Sequence, residues 1–213
     1  RRLASEGCRS RLPWGIALAK FKKDPNNVIP IIESLMYDTE EYVRKSVANN
    51  INDISKDNPQ IVYTLIEKWY GKNINIDWIF KHGCRTLLKS GDPKIMKVFG
   101  YHDPKFIDIA NIKSSKSVNG EGDFEFSFDI KSKKGNIGKL RIEFAIEFVR
   151  MKGKSSKKVF KIGEGDYDIN SKHISKHFSF RKISTRKYYS GNHKFSIIIN
   201  GIEKYLSDFK YIL

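Results

Sequence analysis

The chain has 213 residues, with 40 Lys and Arg against 24 Asp and Glu, giving a formal net charge of +16 at pH 7 and a pI near 9.7. Hydrophobic residues at 39% and aromatics at 13% suffice to build real cores, which argues against disorder and for one large or two modest domains. No run approaches the roughly 18 uninterrupted apolar residues of a membrane helix, and no apolar leader follows a basic start, so a soluble, intracellular protein is expected. An excess of positive charge on this scale is costly to the folded state unless an anionic partner offsets it. Nucleic acid is the expected partner rather than a membrane surface, because the charge is dispersed instead of gathered into one basic run. Cys8 and Cys84 are too few for a disulfide framework and lack the spacing of a zinc site.

The opening at Arg1-Arg2-Leu3, with no initiator Met, reads as the middle of a longer protein. Up to about Gly100 the apolar spacing is helical. A short helix is expected from Pro13-Trp14 to Lys22, broken by Asp24-Pro25, and the apolar run Asn27 to Met36 follows. Asp38-Thr39-Glu40-Glu41 supplies capping and acidic first-turn residues for a helix reaching Lys56. Asn58-Pro59 reads as an N-cap pair for Gln60 to Tyr70, Asp77 as the start of a helix ending at Gly91, and Pro93 as the start of one ending at Gly100. Such helices joined by short turns suggest an α-solenoid of HEAT type whose earlier repeats are absent.

Beyond Gly100 the period becomes two. Phe124, Phe126, Phe128 and Ile130 alternate with Asp123, Glu125, Ser127 and Asp129, the pattern of a half-buried strand. Similar segments at Phe106 to Ile112, Lys139 to Val149, Lys158 to Ile162, His177 to Ile183 and His193 to Ile199 indicate about seven strands and an immunoglobulin-like β-sandwich. The expected organisation is therefore α+β and multidomain, with helical repeats over 1–101 and a sandwich over 102–213. There are 17 basic and 11 acidic residues up to Gly100, and 23 and 13 beyond it. Both parts are expected to meet the anion.

Three segments carry candidate chemistry. In the helix ending at Lys56, Val43, Val47, Ile51 and Ile54 form one face at 100° per residue, with Lys45, Asn49, Asn52 and Lys56 opposite. Ser46, Asn50 and Asp53 form a polar line on the margin of the apolar face, which is tolerable only if its members hydrogen-bond one another, a neighbouring helix end or a ligand. A bland alternative makes Asn50 a bridge to a neighbouring backbone and Asp53 a solvated carboxylate. The second segment, Arg1 to Trp14, sets Glu6 among Arg1, Arg2, Arg9 and Arg11. It is either a charged loop with surface ion pairs or a carboxylate near the plane of Trp14 in a basic groove, as a reaction that builds positive charge on a sugar would use. The third, Lys81 to Ser90, aligns His82, Arg85 and Lys89 to track phosphates, or else as a solvated face. In the β half, Ser184 to His193 gathers Arg186, Lys187, Tyr188, Tyr189 and His193 around a turn. P-loop, dinucleotide, HExxH and EF-hand motifs do not occur.

Arg2 to Trp14 (RLASEGCRSRLPW), Tyr42 to Lys56 (YVRKSVANNINDISK) and Lys81 to Gly91 (KHGCRTLLKSG) together resemble the AlkC branch of the DNA alkylation-repair glycosylases, HEAT-like repeat proteins related to AlkD. The resemblance covers essentially the whole chain. It implies helical repeats followed by an immunoglobulin-like domain, and a monomeric enzyme of the bacterial cytoplasm or nucleoid acting on double-stranded DNA. The reaction implied is excision of cationic alkylated bases such as 3-methyladenine, and 3-methylcytosine, by N-glycosidic hydrolysis with no cofactor or metal. By motif position Glu6 and Asp53 are the implied catalytic carboxylates and Trp14 the ring that packs on sugar or lesion. Arg11, Arg44, Lys45, Lys56, Arg85 and Lys89 are the implied contacts to the DNA backbone, and Asn49, His82, Arg186 and Lys187 join them as candidate DNA contacts from the residues themselves. Two positions depart from the family pattern: Ser10 stands where Pro is usual, and Asn50 where His is usual. A catalytically silent DNA-binding or damage-sensing protein is the competing reading.

Overall fold

The structure is a computed structural model describing residues 1–184 and 186–213, with Lys152 described by its backbone alone. It divides into two compact units, Arg1–Phe99 and Gly100–Leu213; the sequence placed the border two residues later. No helix among the described residues is long and apolar enough to cross a membrane.

The first unit is built on one helix. Among α1 (Arg2–Gly7), α2 (Ala19–Lys23), α3 (Ile29–Ser34), α4 (Glu41–Asp57), α5 (Pro59–Trp69), α6 (Ile74–Gly83), α7 (Arg85–Ser90) and α8 (Pro93–Val98), α4 is the longest. Its apolar face is Val43, Val47, Ile51 and Ile54, all buried, as the 100° spacing requires. The opposite face is not wholly left to solvent, however: Lys45 and Lys56 are exposed, but the face also makes a contact. Asn52 is also buried, and its Oδ1 accepts from the Thr86 backbone N–H at 3.3 Å and the Thr86 hydroxyl at 2.9 Å. An asparagine thus reads as surface in a helical wheel yet docks α4 to the start of α7.

Three sequence expectations fail here for local reasons. Residues 1–14 are not a charged loop: Arg2–Gly7 is helical, and the expected helix from Pro13-Trp14 is absent because Trp14 takes φ 63°, a left-handed backbone that ends helical propagation. A helix forms only from Ala19. The single helix expected over Asp77 to Gly91 is two, turning at Cys84. Gly83 explains the close approach just before that turn, since a Cβ there would lie 2.8 Å from Ile51 Cγ2 and 3.2 Å from the Ala48 carbonyl oxygen. Asn58 and Pro59 do take the N-cap and first positions of α5, but the Asn58 side chain makes no capping bond; its Nδ2 donates instead to the Lys22 carbonyl at 2.8 Å and ties down the end of α2.

The second unit is a two-sheet β structure. Strands β1 (Ile107–Ser114), β2 (Ser117–Asn119), β3 (Asp123–Ser132), β4 (Gly138–Val149), β5 (Ser155–Tyr167), β6 (Ser171–Ser179), β7 (Gly191–Ile199) and β8 (Ile202–Ile212) form a three-stranded sheet ordered β1-β3-β6 and a five-stranded sheet ordered β2-β8-β7-β4-β5. The alternation read in β3 holds: Phe124, Phe126, Phe128 and Ile130 face a core shared with Phe144, Phe148, Phe195 and Phe209. Ring centroids there are as close as 4.2 Å for Phe124 and Phe209 and 4.7 Å for Phe126 and Phe195. Aromatic pairs of this kind add to area burial, which drives the two sheets together.

Differences from the expected strands have physical causes. β5 continues through Gly163 and Gly165, which read as a break; the Tyr167 ring lies over both glycines and supplies the packing they lack. β8 escaped notice because Lys, Asp and Glu interrupt its buried Phe209 and Tyr211. β6 lies upstream of the expected His177 to Ile183, and Phe180, just past its end, is buried in the core with its N–H on the Gly122 carbonyl at 3.0 Å.

Because the α4–α6 approach leaves no room for a methyl, Gly83→Ala is expected to destabilise the helical unit by about 1–3 kcal/mol despite the better helix propensity of Ala. Urea denaturation followed by far-UV circular dichroism measures it.

Candidate active site

The polar line of α4 meets α1. Ser46, Asn50 and Asp53 fall at i, i+4 and i+7, so they share one flank, and each finds a partner on the opening segment. Ser46 Oγ donates to Glu6 Oε2 at 2.8 Å. Asn50 Nδ2 donates to the Ser5 carbonyl at 2.9 Å and to Cys8 Sγ at 3.3 Å. Asp53 Oδ2 accepts from Arg9 Nε at 2.8 Å. Arg9 closes the set: its Nη1 donates to Glu6 Oε1 at 2.6 Å, so one guanidinium joins the two carboxylates singled out from sequence. The second oxygen of Asp53 accepts from Lys56 Nζ at 3.0 Å.

Burial decides the character of this cluster. The Arg9 and Asp53 side chains are 8% and 2% exposed and that of Glu6 18%, so these are not the surface ion pairs that a loop would carry, and Asp53 is not a solvated carboxylate. Burial works against the Glu6 charge, but the bonds from Ser46 and Arg9 and the charges of Arg9 and Arg2 outweigh it, holding its carboxyl below the usual carboxylate range. For Arg9 too, burial opposes the charge and the two carboxylates prevail, raising its pKa. The site therefore holds two fixed negative charges, one of them partly open to solvent, around a fixed positive one.

Trp14 does not join them as a packed ring. It is fully exposed, at 107%, on a turn where the Gly15 N–H reaches the Leu12 carbonyl at 3.1 Å, and Ile16 beside it is 90% exposed. The loop is closed at its root by the Leu18 N–H on the Ser10 carbonyl at 3.0 Å, next in sequence to Arg9. A non-glycine residue in left-handed backbone costs about 1 kcal/mol or more and persists where the surroundings enforce it. The turn thus projects an aromatic ring outward from the residues that hold the carboxylates.

Most of the other candidate contacts are already engaged within their own units. Arg11 makes a two-point pair with Asp57 at 2.6 and 3.1 Å. Arg44 Nη1 donates to the carbonyls of Asp38 and Thr39 ahead of α4. Lys45 pairs with Glu41 at 2.7 Å. Asn49 Oδ1 accepts from Arg85 Nη2 at 3.0 Å, and Arg85 Nη1 caps the His82 carbonyl. His82 stacks on Trp78 with centroids 5.1 Å apart and planes 5° from parallel; burial and the charges of Arg85 and Lys45 push its pKa down, favouring the neutral ring. Lys89 is exposed. In the β unit Arg186 lies within 6 Å of the Phe148, Phe160, Phe178 and Tyr188 rings, so it is held against aromatic faces rather than standing free. Lys187 is exposed. Thr185 of that stretch lies outside the described residues, and among those described no group of three or more His, Cys, Asp or Glu side chains could hold a metal ion.

Sequence reasoning missed Arg9 as the link and saw only its charge. The signal available was the Glu6–Arg9 spacing of three, which on a helix puts acid and base on one side.

These features can be set beside known proteins. Nearly its whole length resembles AlkC. The chain is 34% identical to the Pseudomonas fluorescens alkylpurine DNA glycosylase AlkC, solved bound to DNA containing an abasic site analog, with a TM-score of 0.93 over 99% of this chain and 59% of that one. It is 46% identical to the uncharacterized protein YhaZ of Bacillus subtilis (strain 168), again over 99% of this chain and 59% of that protein. Residues 108–212 match the family described as the C-terminal Ig-like domain of YhaZ, so the β unit is an Ig-like domain. The chain spans about three fifths of the length of both relatives.

Removing Arg9 while leaving both carboxylates buried should be severe: Arg9→Leu is expected to cost about 3–5 kcal/mol in chemical denaturation. Glu6 also predicts a pH dependence. Its folded pKa lies below its usual 4.5, so its contribution to stability is complete above about pH 4.5 and is lost as pH falls through the folded value. Glu6→Gln should lower stability at pH 7 and reduce the further loss between pH 5 and pH 3, measured by urea midpoints across that range.

Proposed function

We propose that this chain belongs to a DNA glycosylase that excises cationic alkylated bases, its first unit part of a HEAT-like helical solenoid and its Ig-like unit adding a second DNA-binding module. The observation that supports this reading most is the joining of Glu6 and Asp53 by Arg9 in a chain so similar in fold to an alkylpurine DNA glycosylase. The partner is double-stranded DNA carrying an alkylated base such as 3-methyladenine or 3-methylcytosine, and the enzyme acts as a monomer.

The chemistry suits the residues. An alkylated base that already carries positive charge leaves readily: the C1′–N bond breaks with its electron pair going to the base, and positive charge develops on the deoxyribose. Fixed carboxylates close to that ring stabilise it without reorganising, because their partners already hold them in place. Glu6, the more exposed of the two, faces the sugar and orients the water that adds to C1′, taking up its proton. Asp53 deepens the negative potential from behind Arg9. Lys56 covers its other oxygen and is about a third exposed, so a phosphate that draws Lys56 away opens that oxygen as well. The projecting Trp14 packs on the sugar or lesion nucleotide, and exposed lysines such as Lys89 follow the backbone.

The test is release of free base from duplex DNA containing 3-methyladenine. Glu6→Gln and Asp53→Asn should each lower the single-turnover rate by about a hundredfold or more. A wild-type protein that binds DNA but releases no more base than these variants would favour the silent, damage-sensing reading. Binding should weaken steeply with salt, and Lys89→Ala should reduce the slope of log affinity against log salt by about 1.

A further inference from the structure

One member of the α4 polar line lies too deep to touch a substrate. Asn50 is 1% exposed, yet both hydrogens of its amide are committed, one to the Ser5 carbonyl of α1 at 2.9 Å and one to Sγ of Cys8, just past the end of α1, at 3.3 Å. Cys8 in turn donates its thiol hydrogen to the same Ser5 carbonyl at 3.4 Å. The two acceptors bracket Glu6, one immediately before it and one two residues after. Meanwhile Ser46 and Arg9 hold the two oxygens of the Glu6 carboxylate itself.

α1 has six residues and no side-chain N-cap. A helix that short does not persist on its own propensity, because nucleation is unfavourable and few backbone bonds follow it. Its geometry is therefore set by what it docks on. Ser46 and Arg9 can orient the carboxylate group, but only a bond to the α1 backbone can fix where the Cα of Glu6 stands, and among the described residues Asn50 provides the side-chain bond to it from α4. An amide also suits the position chemically. An Asp there would set carboxylate oxygens against the Ser5 carbonyl, and an apolar residue would leave that buried carbonyl short of a donor.

We propose that Asn50 is a positioning residue that acts through Glu6, holding the chain at the Ser5 carbonyl before it and at the Cys8 thiol after it so that the carboxylate is in place before substrate arrives. The kinetic consequence rests on the glycosylase reading; the structural consequence does not. Asn50→Leu, of similar volume and without donors, should lower single-turnover base release at least tenfold while DNA affinity changes less than twofold. Asn50→His, whose ring N–H can replace one of the two donors, should recover most of the rate. In parallel, backbone amide exchange at Glu6, Gly7 and Cys8 should be at least tenfold faster in Asn50→Leu than in wild type. If Asn50→Leu does not fold, Asn50→Gln, which keeps the amide but moves it along the side chain, takes the same measurements with the same expectations.

A folded variant with the wild-type rate overturns the proposal, as does a parallel fall of rate and affinity or a failure of His to rescue. If wild type releases no base, the glycosylase reading fails by itself. The exchange measurement then decides: faster exchange at residues 6–8 upholds the positioning role, and unchanged exchange overturns it.

Discussion

The Arg9 guanidinium, lying between the carboxylates of Glu6 and Asp53, is the contact on which the rest of the helical unit's chemistry depends. Two carboxylates at the margin of an apolar core repel each other and resist losing water, so both need a compensating partner there. A planar, permanently charged fork that reaches both at hydrogen-bond distance turns that liability into a fixed electrostatic arrangement. Lysine would do this less well, since its three N–H donors radiate from a single small nitrogen, whereas the guanidinium spreads its donors over a plane wide enough to reach two partners.

The arrangement requires a particular helix. α4 buries residues on almost every side, with its apolar face against the core, Asn52 against the start of α7, and Ser46, Asn50 and Asp53 against α1. A helix so thoroughly surrounded makes a rigid platform, and polar positions on it can be precise because each is satisfied. The short segments around it have little helical tendency of their own and take their geometry from it. By contrast the Ig-like unit holds together through alternation and aromatic packing, with Phe124, Phe126 and Phe128 meeting Phe195 and Phe209. Its features do not depend on any single ion pair.

Much of the site was legible because its elements follow local rules. The polar line Ser46, Asn50, Asp53 is visible from 100° spacing alone, and the requirement that buried polar groups find partners says that something must meet it. Glu6 was marked by a resemblance in motif, as was Asp53. Arg9 was hidden for a physical reason: its role depends on a contact with a residue 44 positions away in sequence, and nothing in the composition of a basic segment distinguishes the arginine that turns inward from those that stay in water. Trp14 shows the reverse case. Following a proline, it read as a helix start, but its left-handed backbone turns the ring away from the core.

By itself, then, the sequence determined the change of period near residue 100, the amphipathic α4, the alternating β3, and the basic excess that calls for an anionic partner. These depend on the spacing of neighbouring residues, and spacing is what a sequence contains. Only the tertiary structure decided which charges are buried and joined, which of the basic residues are spent on carbonyls, carboxylates and aromatic rings, and that the opening segment is a helix seated on α4. Those outcomes are fixed by competition between solvation and partners brought together from distant parts of the chain, and that competition has no local signature.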